Sequence, residues 1–155
     1  MALKPDRIER HTDISFFMNE VAERGIIVVH DTSTSGLGAS MDDADNAVKK
    51  PDVAGGSGEQ PAGLLLNDMV NLDLTRQHIN WHKNEMQIGG KVTLLRQGQV
   101  VTNMVESGVN PAPGDKMYFT TDGEVSTTST NSTQVGRFLS SLDSDGYVKV
   151  EVNIT

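Results

Sequence analysis

The chain has 155 residues, enough for one domain with a real core and too few for two comfortable ones. Hydrophobic residues make up 36% and aromatics 5%, so the core is expected to consist of Val, Leu, Ile and Met, which suits a small β domain better than a large enzyme cleft. A formal charge of −8 with a pI near 4.8 argues against direct nucleic-acid binding, and a chain without cysteine has no disulfides, Cys zinc sites, iron–sulfur ligation or thiol catalysis.

The amino end, MALKPDRIERHTD, is charged and has no apolar run of the signal-peptide kind. No later stretch approaches the roughly 20 apolar residues of a membrane-spanning helix, so no membrane partner is expected. Next, Ile14, Phe17, Met18 and Val21 fall at i, i+3, i+4 and i+7, which predicts a short helix over 13–24 with one apolar stripe. Thr12 or Asp13 is placed to cap its start and Gly25 to end it. Such a stripe covers either the domain's own core or a neighbouring subunit, so residues 1–25 read as an arm with a short helix.

Residues 26–155 read as a single β domain. Ile26, Ile27, Val28 and Val29 form a β-branched run, followed by a flexible acidic and glycine-rich loop at about 31–62. Its Asp42, Asp43 and Asp45 lack the ligand alternation, central Gly and terminal Glu of an EF-hand, and read as solvated charge. Beyond Gly63, short strands are expected at Leu64–Leu66, from Lys91, Gln99, Lys116, Glu124 and Val135, and at Tyr147–Asn153. Turns are expected at Gln97-Gly98, Pro113-Gly114-Asp115, Asp122-Gly123 and Asp145-Gly146, where glycine supplies the positive φ of a tight connection. The last strand alternates, with Val148, Val150 and Val152 on one face. Gly63 and Gly136, each three residues before a leucine, suggest equivalent corners of a barrel. The expected fold is mainly β, a small antiparallel barrel or sandwich with a short N-terminal helix or arm.

Reactive residue types gather in RQHINWHKNE, Arg76 to Glu85, inside the segment 64–105, where four basic residues face three acidic ones while 1–25, 26–63 and 106–155 are each net acidic. On a helix, His78 and His82 would lie about 6 Å apart and share an ion. On a strand they lie about 13 Å apart, too far for one metal. The apolar pairs Leu72 and Leu74, Ile79 and Trp81, and Met86 and Ile88 favour the strand, because a step of two on a helix puts each pair on opposite faces. A zincin would need Glu directly after the first histidine, where Ile79 stands, and no GxSxG elbow, phosphate loop or dinucleotide fingerprint occurs. No catalytic residue, cofactor or metal is therefore assigned. The outward Arg76, His78 and His82, with Trp81 as an anchor, read as a subunit-contact surface.

The runs PAGLLLNDMVNLDLTRQHINWHKNEMQIGGKVTLLRQGQVVTN (from Pro61), PGDKMYFTTDGEV (from Pro113) and VGRFLSSLDSDGYVKVEVN (from Val135) resemble the head decoration, or capsid cement, proteins of tailed bacteriophages. NEVAERGIIVV, from Asn19, is similar too, so only the loop from Asp31 to Gln60 lies outside the likeness. The resemblance implies a non-enzymatic virion protein without a cofactor. It would bind the outer surface of an assembled capsid as a homotrimer and stabilise it by clamping neighbouring major capsid protein subunits. Within that reading, Ile14, Phe17, Met18 and Val21 are the expected apolar contact. Alternatives are a phage tail or fibre accessory β domain and, further off, a small carbohydrate-binding or hydrolytic barrel.

Overall fold

The computed structural model describes residues 2–32, 46–53, 58–71 and 85–155. The described residues form twelve strands and no helix: β1 (Ile8–Asp13), β2 (Phe17–Met18), β3 (Ile27–His30), β4 (Ala47–Lys49), β5 (Pro61–Leu65), β6 (Asp68–Val70), β7 (Glu85–Gln87), β8 (Leu94–Thr102), β9 (Lys116–Phe119), β10 (Val125–Ser126), β11 (Gly136–Phe138) and β12 (Val148–Asn153). Ten belong to one open sheet in the order β10-β9-β11-β12-β8-β5-β3-β4-β2, with β1 added on β8; β6 and β7 make a separate parallel pair. The sheet does not close on itself, so the expected barrel is not formed.

The nine-residue β8 is the spine. Its Leu94 and Leu95 pair with both β1 and β5, and its Gln97–Thr102 stretch pairs with β12. A strand has only two edges, so β1 takes one and β5 and β12 share the other in succession. This sharing lets the sheet divide around two apolar clusters. One holds Leu64, Leu95, Val100, Phe119, Phe138, Val148, Val150 and Val152. The other holds Phe16, Met18, Val28, Val48, Leu65, Met69 and Leu94.

Strands β3, β5 and the start of β8 form the wall between the clusters. Ile27 and Val29 face the first and Val28 the second; Leu64 and Leu65 divide in the same way, as do Leu95 and Leu94. Burial on both faces is why IIVV and LLL run continuously apolar, where β12, covered on one face, alternates. Each such fully buried side chain contributes about 1.5–3 kcal/mol relative to exposure. Thr102, fully buried, pins the wall's entry: its hydroxyl donates to the Gly25 carbonyl at 3.4 Å and accepts from the Met104 amide at 3.0 Å.

The helix expected over 13–24 is an extended path instead. The Asp13 carboxylate accepts from the Ser15 amide at 2.9 Å and hydroxyl at 2.6 Å, a local turn that competes with a helix cap. Phe17 and Met18 then pair in parallel with Ala47 and Val48 of β4, and Ala22 bridges to Met69. Tertiary pairing thus overrides a 3.6-residue spacing too short to nucleate a helix alone. β4 itself lies inside the segment expected to be loop.

Gln97-Gly98 is not a turn either, since β8 runs straight through it. The glycine is needed because β1 passes so close that a Cβ there would lie 2.2 Å from the Ile8 carbonyl oxygen. Gly63 and Gly136 likewise mark tight approaches within β5 and β11, not barrel corners.

The Asp-Gly turns do form. Gly123 and Gly146 both have left-handed φ, +81° and +79°, but a Cβ at Gly123 would lie 2.4 Å from the Ile27 carbonyl oxygen while Gly146 has nothing within 4 Å. Gly146→Ala is expected to cost about 1 kcal/mol, the ordinary penalty for an L-residue in that conformation. Gly123→Ala costs more, because the turn must also withdraw from β3. Urea denaturation midpoints of the two variants check this order.

Candidate interaction surface

Residues 3–25 are tied down by three strands: 3–13 lie along β8, Phe17 and Met18 pair with β4, and Ala22 bridges to Met69 of β6. Leu3 bridges to Thr102, the Lys4 amide donates to the Val101 carbonyl at 3.0 Å, and β1 continues the pairing to Leu94. Ala2 and Leu3 are buried, at 1% and 4% exposure. Lys4 is held further by Asp143 at 2.9 Å and sits 4.2 Å from the centre of the Tyr147 ring. The shared hydrogen bond raises the Lys4 ammonium above its ordinary pKa and lowers the Asp143 carboxyl.

This anchored segment is also the most apolar part of the described surface. Of four exposed large hydrophobics, three lie in it: Ile8 at 48%, Ile14 at 62% and Val21 at 49% exposure. β1 exposes all its residues except the half-buried Asp13. Register irregularities flank His11, and Glu9 and Arg10 put charge along the strand, both of which discourage another chain from simply extending the sheet. Ile8 is the one large apolar side chain that β1 exposes.

Where β1, β3 and β8 meet, Asp13, His30 and Arg96 form a small charged cluster. Arg96 approaches the Asp13 carboxylate at 3.9 Å, and the His30 ring meets Phe16 edge-on, with centroids 5.3 Å apart. Burial works to raise the Asp13 carboxyl, but the Ser15 hydrogen bonds and Arg96 hold it below its usual range. Burial, then Arg96, depress His30, with Asp13 opposing weakly.

The outer face of β11 and β12 carries a shallow groove of about 290 Å3 lined by Gln134, Arg137, Glu151 and Asn153. Amides and paired-sign charges of this kind suit a wet protein contact. They include neither a nucleophile nor a general base set against one. Among the described residues, no group of three or more His, Cys, Asp or Glu could hold a metal ion.

The expected contact residues divide. Ile14 and Val21 are exposed, whereas Phe17 and Met18 are buried at 6% and 0% and anchor the segment to β4. Arg76, His78, Trp81 and His82 lie outside the described residues. Ile8 is the contact-type residue that sequence reasoning passes over, because it stands alone among the charges of DRIERHTD, where no apolar period draws attention to it.

A β-rich domain whose described surface offers exposed aliphatic side chains, polar grooves and no metal cluster has the equipment of an interaction protein. Residues 11–153 match the family described as structural cement protein (E217 gp24/Pam3 gp6), and the chain belongs to that phage protein family. Its role is therefore structural and associated with the virion capsid. No curated protein matches the chain.

Because folding holds His30 below the ordinary histidine value of about 6.5, the unfolded chain takes up this proton more readily than the folded one. His30 therefore contributes stability that is present above about pH 6.5 and lost as the pH falls through the folded value. Asp13, with a lowered carboxyl, keeps its contribution until the carboxylate range and does not act in this window. Melting temperature is expected to fall from pH 7 to pH 5, and His30→Gln to remove part of that slope; calorimetry across the range checks it.

Proposed function

We propose that this chain binds the outer surface of an assembled phage capsid as a homotrimer and stabilises it by clamping neighbouring major capsid protein subunits, without catalysis or a cofactor. The family match supports the capsid role. The observation that carries the contact is the concentration of exposed Ile8, Ile14 and Val21 on a segment whose backbone is tied to β8 as far as Asp13, to β4 at Phe17 and Met18 and to β6 at Ala22. An exposed aliphatic side chain on a rigid strand loses little entropy on docking. Three copies in a trimer make several weak contacts act together, so no deep hot spot is needed. Phe17 and Met18 serve by fixing the segment and do not touch the shell.

The same geometry rules out deletion as the test. Removing residues 1–25 would take Leu3 from the core, strip one edge of β8 and delete β2, so loss of binding would only report misfolding. A variant carrying Ile8→Asp, Ile14→Asp and Val21→Asp changes exposed positions alone, where substitutions usually cost within about 0.5 kcal/mol each. It is expected to keep its melting temperature and trimeric mass by light scattering while losing at least tenfold in co-sedimentation with assembled shells. Undiminished coating of shells by the folded variant would sink this contact surface; a monomeric wild-type protein would sink the trimer.

A further inference from the structure

The turn between β9 and β10 overhangs a cleft of about 200 Å3, lined by Glu106, Phe119, Thr120, Thr121, Ser126 and Thr128, with Thr130 at its rim. At about 30 Å3 per water, it has room for a guanidinium and part of its stem. Two polar groups at it are short of partners, one open to the cleft and one sealed in its wall. The Thr120 hydroxyl oxygen is buried with no hydrogen bond, although the Thr120 backbone is fully engaged: its amide donates to the Glu124 carbonyl at 2.9 Å and its carbonyl accepts from Gly123 at 3.0 Å. Glu106 is held by one oxygen only, Oε2, which accepts from the Ser126 hydroxyl.

Ser126 is 1% exposed and its hydroxyl in turn accepts from the Thr128 amide at 2.9 Å, so the carboxylate's position is set by the fold. Among the described residues no basic side chain pairs with Glu106, or with Asp122 and Glu124 beside it. Burial, then Asp122 and Glu106, raise the Glu124 carboxyl, the mark of negative charge gathered without a counter-charge. A positioned carboxylate with threonine and serine side chains around it calls for a cation with several donors. A guanidinium has five in a rigid plane; an ammonium is a compact point charge with three, and a metal lacks the convergent ligands.

We propose that the cleft of Glu106, Thr120 and Ser126 is a socket for an arginine side chain of a capsid neighbour. That the arginine belongs to the capsid rests on the cementing role above; the chemistry of the socket does not. The first test is therefore a small probe. The folded protein is titrated with N-acetylarginine amide, and with its neutral citrulline analogue, while backbone amide resonances are followed. Saturable shifts centred on Thr120, Ser126 and Thr128 are expected with the arginine compound alone, and at least fivefold weaker binding in Glu106→Gln. Equal responses to both compounds, an unchanged response in Glu106→Gln, or the same shifts produced more tightly by calcium chloride would each overturn the socket. Folding of the variant is read from the rest of the spectrum. In co-sedimentation, Glu106→Gln is expected to coat shells at least fivefold more weakly; full coating would overturn the capsid occupant. Failure of the wild-type protein to coat shells would overturn the cementing reading, with the probe still deciding the socket.

Discussion

Everything in this fold hangs on the sharing of one strand edge. β8 gives its first residues to β5 and the rest to β12 along one side, and keeps the other for the amino-terminal segment. A strand paired twice on one edge cannot lie in a single flat layer, because its two partners lead away to different parts of the chain. The apolar residues of the wall are thereby divided between two clusters, and the sheet stays open at β10 and β2. Gly98 is the point where the arrangement is tightest, and any side chain there would drive β1 off its partner.

What the sequence made legible follows from which signals are local. The alternation of Val148, Val150 and Val152 and the Asp-Gly turns at Gly123 and Gly146 depend on backbone geometry that neighbouring residues determine, and they appear as expected. The mainly β character and the phage cement family were also readable. What failed required knowledge of distant partners. Ile14, Phe17, Met18 and Val21 carry a helical spacing, yet β4 and β6 claim the backbone between them. Gln97-Gly98 looks like a hairpin because glycine marks both turns and close approaches, and only the position of Ile8 distinguishes the two. The cleft under the β9–β10 turn had no legible signal, since Glu106, Thr120 and Ser126 are common residue types brought together by pairing alone.

The division of labour along the amino-terminal quarter also makes physical sense. A flexible arm would have to be ordered on docking, at about 1–2 kcal/mol per residue for the backbone. Here the ordering is done in the free protein: Leu3, Phe17 and Met18 are inside, and Ile8, Ile14 and Val21 stand outside on fixed backbone. The net negative charge and the polar grooves keep such a surface soluble until a partner of matching shape arrives. In the docking proposed above, the acidic cleft would add a directional, salt-sensitive element to aliphatic contacts.

The pairing of β8 also dictates when these surfaces come into being. Its partners are drawn from residues 8–13, 61–65 and 148–153, so the spine waits on segments from nearly the whole length of the chain. Closing such long loops before their pairing is rewarded slows folding. The first strand is made early in synthesis yet has no bed until β8 is made, and the second edge of β8, which β5 covers only at Leu94 and Leu95, is complete only when β12 follows. Ile8, carried by β1, therefore takes its place only once β8 is made. On the docking proposed above, a chain that has not yet paired β1 with β8 lacks the surface at Ile8, and competence for assembly waits on that pairing.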